Sequence, residues 1–507
     1  MNFPRASGIL LHPTSLPGRF GIGDLGSEAR EFVDLLVSTG QHLWQTLPLG
    51  PTGYANSPYQ CLSVFAGNPL LVNLERLVED GFLESADLEN TPPFPEKTVD
   101  YGSVIKFKMP LLKKSFETFE GKAARREQKQ FKTFCRQNAK WLDTYSLFMA
   151  LKEAHGLAAW NTWEQDIRNR QPKSLKHWSK KLSREIRYHK YQQYQFFKQW
   201  SELKKYCNKH EIKFIGDMPI FVALDSAEVW SHPDMFYLDD GGKPTVVAGV
   251  PPDYFSETGQ LWGNPLYRWH VMARDAYAWW IDRFRAASRL ADIIRLDHFR
   301  GYEEYWEVPA TDTTAANGRW VPGPGAKLFQ AVQDALGSPP IIAEDLGMIT
   351  PAVEALRDQF GLPGMRVLHF SFGSGPKANE YRPYNYPRNC VVYTGTHDNN
   401  TTVGWFTGDD VEDSTQSKEE RDREKQAALT YLGTNGREIN WDFIRLALTS
   451  AADTAVIPMQ DILGLGSEAR MNTPGKAQGN WCWRLTRDML TEEVKSRLKK
   501  LTALSGR

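Results

Sequence analysis

Three acidic residues, Asp297, Glu344 and Asp398, each follow an apolar segment that is typical of a buried β-strand. A pair of carboxyl groups about 5 to 5.5 Å apart can break a glycosidic bond with retention of configuration. One carboxylate attacks the anomeric carbon, while the other, protonated, assists departure of the leaving oxygen. Acids at strand ends therefore indicate chemistry at a sugar linkage as the first hypothesis.

The acid Asp297 has an arginine two residues before it, Arg295. Alternate side chains of a strand share a face, so we expect these two side chains to be neighbours. A guanidinium at that distance lowers a carboxyl pKa by roughly 1 to 3 units, which would leave Asp297 ionised as a nucleophile. The alternative is a structural ion pair at the end of a strand, and only the rest of the chain can decide between them.

The apolar residues before Glu344, at positions 341–343, predict a different environment for that acid. Burial could raise its pKa towards about 6, so that it acts as the acid and base of the reaction. His298 and His397 stand next to acids and could donate hydrogen bonds to sugar hydroxyls, although a lone histidine is more often structural. Ser57, Tyr54 and Tyr59, in the Gly- and Pro-rich loop at 50–60, are further candidate sugar contacts.

Eight apolar segments carry these residues and determine the predicted fold. They lie near residues 9, 44, 214, 294, 342, 367, 392 and 456, and helical patterns separate most of them. Strands that alternate with helices predict a (β/α)8 barrel, in which the strand ends converge on one face. Residues about 50 apart in the chain can therefore meet around one substrate.

The chain is longer than this fold requires, which predicts insertions. A (β/α)8 barrel needs about 250 residues, and this chain has 507. We interpret residues 1–507 as one catalytic barrel with a mainly helical insertion at 71–205, between strands 2 and 3. A second insertion at 226–275, between strands 3 and 4, contains an aromatic-rich segment at 251–265 that is typical of a flexible lid over a cleft.

Charge and composition exclude several classes of function. The chain has 61 basic and 61 acidic residues, so no net field favours nucleic acid or an acidic membrane, and a neutral substrate fits best. Residues 171–209 hold an excess of Lys and Arg that could suggest an anionic partner, but apolar residues at helical spacing favour a solvated helix face. Aromatic residues make up 12% of the chain, and rings in loops suit the faces of sugars.

The five cysteines and the absence of long apolar runs indicate the compartment. The cysteines are odd in number, widely spaced and without a C-x-x-C pair, which argues against disulfides and structural zinc. No stretch approaches 18 uninterrupted apolar residues, and the N-terminus lacks the apolar core of a signal peptide. We expect a cytoplasmic protein with reduced thiols and no membrane contact.

Several segments together resemble the 4-α-glucanotransferases of the α-amylase clan, also known as amylomaltases or disproportionating enzymes and grouped as glycoside hydrolase family 77. Any one of these segments is moderately specific, but in this order they are highly specific and extend over nearly the whole chain. The segments lie at 8–17, 53–60, 251–264, 295–298 (Arg-Leu-Asp-His), 343–347 (Ala-Glu-Asp-Leu-Gly), 396–399 (Thr-His-Asp-Asn) and 471–475.

This resemblance implies a role for each candidate residue. Asp297 would be the nucleophile, Glu344 the acid/base, and Asp398 the acid that holds ring hydroxyls of a distorted sugar. Tyr54 and Tyr101 match positions of a secondary glucan groove in some members. The remaining implied contacts to the donor and acceptor sugars are Tyr59, Asp217, Arg295, His298, His397, Asp253, Phe255, Gln260, Trp262 and Asn472.

The resemblance also implies a substrate and a reaction. The expected substrates are α-1,4-glucans, from maltooligosaccharides to amylose, starch or glycogen, with no metal or organic cofactor and no C-terminal β-sandwich. A glucan segment would be transferred to the 4-hydroxyl of another sugar through a glycosyl ester on Asp297. Two alternatives stay open at this point: a hydrolase of the same clan, and a catalytically silent glucan-binding protein.

Overall fold

Eight parallel strands form the central sheet of this computed structural model, which describes residues 3–252, 256–373, 378–408 and 417–507. The described strands are β1 (Ala6–Leu10), β2 (Leu43–Gln45), β3 (Lys213–Met218), β4 (Val246–Val250), β5 (Gln260–Pro265), β6 (Ile293–Leu296), β7 (Glu304–Pro309), β8 (Arg319–Pro322), β9 (Ile341–Ala343), β10 (Gly364–Val367), β11 (Cys390–Tyr393) and β12 (Thr454–Pro458).

The described α-helices surround this sheet and fill its connections. They are α1 (Ser27–Ser38), α2 (Leu74–Glu79), α3 (Tyr101–Lys122), α4 (Arg125–Gln137), α5 (Ala139–Ala154), α6 (Gln165–Arg168), α7 (Pro172–Lys181), α8 (Ser183–Lys209), α9 (Ala227–Ser231), α10 (Trp269–Met272), α11 (Ala278–Leu290), α12 (Arg300–Glu303), α13 (Ala326–Leu336), α14 (Pro351–Gln359), α15 (Thr402–Thr407), α16 (Lys418–Leu432), α17 (Ile439–Thr449), α18 (Met459–Ile462) and α19 (Glu492–Leu504).

The parallel strands close into a barrel. Their order is β10-β11-β12-β1-β2-β3-β6-β9, and the Ala343 N–H of β9 donates to Pro363 O, just before β10, at 2.9 Å. Each of the eight predicted strand positions falls inside one of these strands. The predicted (β/α)8 barrel is therefore confirmed.

The strand sequences explain why the barrel packs as it does. Every residue of β1, β6, β11 and β12 is buried, as expected for parallel strands covered on both faces. Gly8 illustrates how closely β1 and β2 approach, because a Cβ atom there would lie 2.3 Å from Leu43 O. A larger residue at position 8 would push the two strands apart.

A second sheet lies beside the barrel and was not predicted. Its four antiparallel strands have the order β5-β4-β7-β8 and come from the connections that follow β3 and β6. These strands are short, several of their residues are half-exposed, and Gly and Pro occur within them. Apolar and polar residues therefore alternate only weakly along them, and the sequence gives little signal for a strand. The sheet matters for function because β5 carries Gln260 and Trp262.

The long connection between β2 and β3 contains helices α2 to α8. A buried ion pair ties it to the barrel: Lys108 Nζ of α3 lies 3.1 Å from Asp24 Oδ2, in the loop after β1. Lys108 also donates to Leu70 O at 2.7 Å. No helix among the described residues is both long and apolar enough to cross a bilayer.

Replacing Lys108 with Ala should destabilise the fold strongly. The change leaves the Asp24 carboxylate buried without its cation, and breaking such a pair costs about 3 to 5 kcal/mol. Thermal unfolding of the variant should show a clear fall in midpoint, while Lys106→Ala, an exposed lysine of the same helix, should leave the midpoint nearly unchanged. Equal midpoints for both variants would contradict the importance of this pair.

Candidate active site

Acidic side chains collect at the carboxyl ends of neighbouring barrel strands. Asp217 is the fifth residue of β3, Asp297 directly follows β6, and Glu344 directly follows β9. These three strands are consecutive neighbours in the sheet. Asp398 follows β11 at the same end of the barrel. The predicted acids are thus brought to one mouth.

Arg295 joins two of these acids. Its Nη1 atom lies 2.8 and 2.7 Å from the two carboxylate oxygens of Asp217 and 3.0 Å from Asp297 Oδ1. The guanidinium is almost fully buried. The predicted neighbours Arg295 and Asp297 are in contact, but the arginine is shared with a second carboxylate from β3.

The predicted low pKa of Asp297 is wrong. Burial raises its pKa from 3.8 to about 7, Arg295 opposes this, and the charges of Asp217 and Asp398 raise it further. One guanidinium divided between two aspartates cannot offset burial beside several like charges. A proton is therefore retained among these acids near neutral pH.

Glu344 is the acid best placed to hold that proton. Burial raises its pKa to about 8, with the charge of Asp297 adding to the effect. Its oxygens accept hydrogen bonds from two backbone N–H groups, His298 at 2.6 Å and Leu346 at 3.2 Å. These bonds and the charge of Arg295 favour the ionised form but do not offset the effect of burial. Asp297, by contrast, touches the Arg295 guanidinium. The predicted rise for Glu344 is confirmed in direction.

The crowded acids should make stability fall as pH rises. A carboxyl whose folded pKa is raised adds stability that is fully present below its unfolded pKa and is lost as pH rises through the folded pKa. For Asp297 the loss lies between about pH 4 and pH 7. Asp297→Asn removes this loss, so its unfolding midpoint should exceed that of the unaltered protein by a few degrees at pH 8. The two midpoints should be much closer at pH 4; the same difference at both pH values would contradict the account.

A tyrosine links the β3 acid to the opposite wall. Tyr59 OH donates to Asp217 Oδ2 at 2.8 Å and lies 2.8 Å from His397 Nε2. A phenol has one proton, so His397 must carry its proton on Nε2 and donate to Tyr59. Burial lowers the pKa of His397, which keeps the ring neutral. The two rings stack at a centroid distance of 5.2 Å.

Asp398 is held by the loop after β12. Asn472 Nδ2 donates to Asp398 Oδ1 at 2.6 Å, and His397 Nε2 lies 3.4 Å from Asp398 Oδ2. Asp398 is the most exposed of the acids at this mouth, with a side chain 46% exposed. The structure therefore brings Asn472 to the site, as the sequence predicts, and leaves Asp398 open to the cleft.

Arg470 belongs to the same network and was missed from the sequence. It donates to the backbone oxygens of Asp398 and Asn472, both at 2.8 Å. The only sequence signal was its position next to the Met471-Asn472 motif. Its contact with Asp398 forms only because the fold places the loops after β11 and β12 side by side.

The second sheet places aromatic and amide groups over the mouth. Trp262 donates from Nε1 to Gln260 Oε1 at 3.2 Å, and its ring meets His298 edge-to-face at 4.8 Å. Burial lowers the pKa of His298 to about 4, so this ring is neutral and can hydrogen-bond a hydroxyl. The predicted lid residues Asp253 and Phe255 lie outside the described residues.

Three predicted contacts remain. Ser57 Oγ accepts the Tyr59 N–H at 3.2 Å and so supports the turn before that tyrosine. Tyr101 is 6% exposed and donates to Trp481 O at 3.0 Å. Its predicted place in a secondary glucan groove stays a prediction. The side chain of Tyr54 lies outside the described part of the structure.

Comparisons with known proteins decide the family. The family model described as 4-alpha-glucanotransferase matches residues 11–491. The 4-alpha-glucanotransferase of Synechocystis sp. is 51% identical over 507 residues, which cover 99% of this chain and 98% of that protein. The chain belongs to the 4-alpha-glucanotransferase family. The 4-alpha-glucanotransferase of Thermus thermophilus is 50% identical and covers the full length of both chains.

A solved structure of this family agrees with the fold. The amylomaltase from Streptococcus agalactiae, determined in complex with acarbose, is 40% identical, has a TM-score of 0.94 and covers 99% of both chains. Among the described residues, no group of three or more His, Cys, Asp or Glu side chains is arranged to hold a metal ion. As a 4-alpha-glucanotransferase family member, the chain is an enzyme.

Proposed function

We propose that this enzyme moves α-1,4-glucan segments to the 4-hydroxyl of glucose or another α-1,4-glucan by a retaining double displacement. The observation that carries the proposal is the position of Asp297 and Glu344 at the ends of paired strands. Paired strands lie about 4.8 Å apart, so their ends can bring two carboxyl groups to the separation of about 5 to 5.5 Å that retention requires. An inverting enzyme would need its carboxyl groups about 6.5 to 9.5 Å apart.

In the first step, a carboxylate oxygen of Asp297 attacks the anomeric carbon. The bond from that carbon to the leaving O4 breaks, and its electron pair leaves with the oxygen. Glu344 gives its proton to that oxygen, so the shortened glucan departs as an alcohol. A β-glycosyl ester on Asp297 remains, and Glu344 is now ionised.

In the second step, the 4-hydroxyl of an acceptor glucan enters. Glu344 removes its proton, the oxygen attacks the anomeric carbon, and the ester bond to Asp297 breaks. The configuration is inverted twice and therefore retained. Both carboxyl groups return to their first state, so no cofactor is consumed.

The surrounding residues have supporting roles in this proposal. Arg295, Asp217 and Tyr59 fix the Asp297 carboxylate through the hydrogen bonds above. Asp398, held by Asn472, would bind the hydroxyls of a distorted sugar as positive charge develops on the ring. Gln260, Trp262, His298 and His397 would contact the donor and acceptor sugars. Asp253 and Phe255, by the family resemblance, would cover both.

We also propose how the chain is divided and where it acts. The helical connection at 71–205 and the segment at 226–275 would be insertions in a single barrel, the second carrying the lid. All five cysteines are unpaired, which supports a reducing cytoplasm. Transfer between glucans would place the enzyme in carbohydrate metabolism. The substrates would range from maltooligosaccharides to amylose, starch or glycogen.

A hydrolase of the same clan is the competing function, and maltotriose distinguishes the two. Transfer produces glucose and longer oligomers while the number of reducing ends stays constant. Hydrolysis raises that number with every turnover. Quantifying oligomers and reducing ends in one time course tests the proposal, and a steady rise in reducing ends without longer products would contradict it.

A further inference from the structure

The segment that presents Tyr59 to the site is a short hairpin. The Gly53 N–H donates to Gln60 O and the Leu62 N–H to Pro51 O, both at 2.9 Å. Tyr59 stands immediately before the returning arm, whose continuation, residues 62–64, forms the base of the hairpin. The position of the Tyr59 hydroxyl therefore depends on where that base is fixed.

The base is fixed by α9, the short helix in the connection after β3. The Ala227 N–H donates to Leu62 O at 2.9 Å. Glu228 Oε1 accepts the Ser63 hydroxyl at 2.6 Å, and Glu228 Oε2 accepts the Val64 N–H at 3.3 Å. Two of these three hydrogen bonds end on one carboxyl group.

The Glu228 carboxyl group has no role in the proposed reaction, and its burial lowers the stability of the fold. Glu228 is 5% exposed, and within the described residues no ion pair joins it to a cation. Burying a carboxyl group without such a partner lowers stability. An apolar residue at position 228 would avoid that cost but would leave the Ser63 hydroxyl and Val64 N–H without their acceptor. Glu228 therefore serves the hairpin base rather than stability alone.

We propose that Glu228 is a positioning residue, which holds the hairpin base on α9 so that the Tyr59 hydroxyl reaches both Asp217 and His397. The inference rests on the proposed function, because Tyr59 would affect the reaction through the Asp217–Arg295–Asp297 chain of contacts and through His397. Glu228 does not touch the reacting atoms. It acts through a hairpin whose tyrosine must satisfy two contacts of 2.8 Å at once.

The test compares kcat and unfolding midpoint in three variants. Glu228→Ala should lower kcat for maltotriose transfer about tenfold to a hundredfold at a temperature well below unfolding, because small misplacements cost that much. Glu228→Gln keeps one acceptor oxygen and should recover most of the activity. Asp453→Asn is the control: Asp453 is also buried but lies before β12, at the opposite end of the barrel. It should lower only the midpoint.

A double-mutant cycle with Tyr59→Phe isolates the mechanism. If Glu228 acts by placing the Tyr59 hydroxyl, Glu228→Ala should add little once that hydroxyl is gone. Effects that multiply independently would overturn the proposal, as would an unchanged kcat in Glu228→Ala. If Glu228→Ala does not fold, Ser63→Ala, which removes one donor to Glu228, should show the same coupling, and its absence would equally overturn it. Transfer by the unaltered enzyme is measured alongside, so failure of the proposed function is seen separately.

Discussion

Replacing Asp297 with Asn should reduce glucan transfer by roughly 10⁴-fold or more, the loss typical of a missing nucleophile. The amide keeps the size of the side chain and its hydrogen bond from Arg295, but it cannot attack the anomeric carbon to form an ester. Binding of the glucan uses other residues, so KM should change far less than kcat. Initial rates of glucose release from maltotriose measure the effect.

The control for this variant is an aspartate at the other end of the same strand. Asp292 precedes β6 and accepts the Phe214 N–H at 2.9 Å, far from the acids of the mouth. Asp292→Asn should lower the unfolding midpoint and leave kcat close to that of the unaltered enzyme. Substantial transfer by Asp297→Asn, with Asp292→Asn equally active, would remove Asp297 from the nucleophile role.

Replacing Glu344 with Gln should reduce transfer from maltotriose by roughly 10² to 10⁴-fold, the usual contribution of general acid and base catalysis. The amide has no proton to give to the leaving oxygen. A donor whose leaving group needs no proton, such as a maltosyl fluoride, should therefore form the glycosyl ester at a much less reduced rate. Comparing single-turnover rates for the two donors measures the acid function directly.

Asp345, the next residue, provides the matched control for Glu344. It accepts from Arg357 and from the Met365 N–H at 2.6 Å, and so ties β9 to its neighbours instead of facing the reaction. Asp345→Asn should reduce stability, and any change in its single-turnover rate should be the same for maltotriose and for the maltosyl fluoride. If Glu344→Gln slowed both donors equally, Glu344 would not be the acid.

The barrel and its acids could be predicted from the sequence because the signals are local. Each acid follows its own apolar strand, and the topology of parallel strands brings strand ends together whatever the intervening length. Asp297 and Glu344 therefore fell on neighbouring strand ends although they are 47 positions apart in the sequence. The pKa values of these acids depend on neighbours that are distant in sequence, and the predicted pKa of Asp297 was therefore wrong.

The errors and omissions have a common physical cause. The pKa of Asp297 is raised instead of lowered because the folded chain buries its carboxyl group and because Asp217, on another strand, shares Arg295. The hydrogen bond that the Tyr101 hydroxyl donates to Trp481 O, near the end of the chain, was likewise not predicted. Glu228 contacts Ser63 and Val64, and Arg470 contacts Asp398, in segments that are remote from them in sequence. No pattern of residue types along the chain reports such contacts.

The central claim is that a glycosyl group becomes attached to Asp297. It is tested most directly by incubating Glu344→Gln with a maltosyl fluoride, denaturing the protein and locating the added mass by peptide sequencing in the mass spectrometer. The account predicts one maltosyl group on the peptide that contains Asp297, and none when the same experiment uses Asp297→Asn. Label on a different residue, or on both proteins alike, would contradict it.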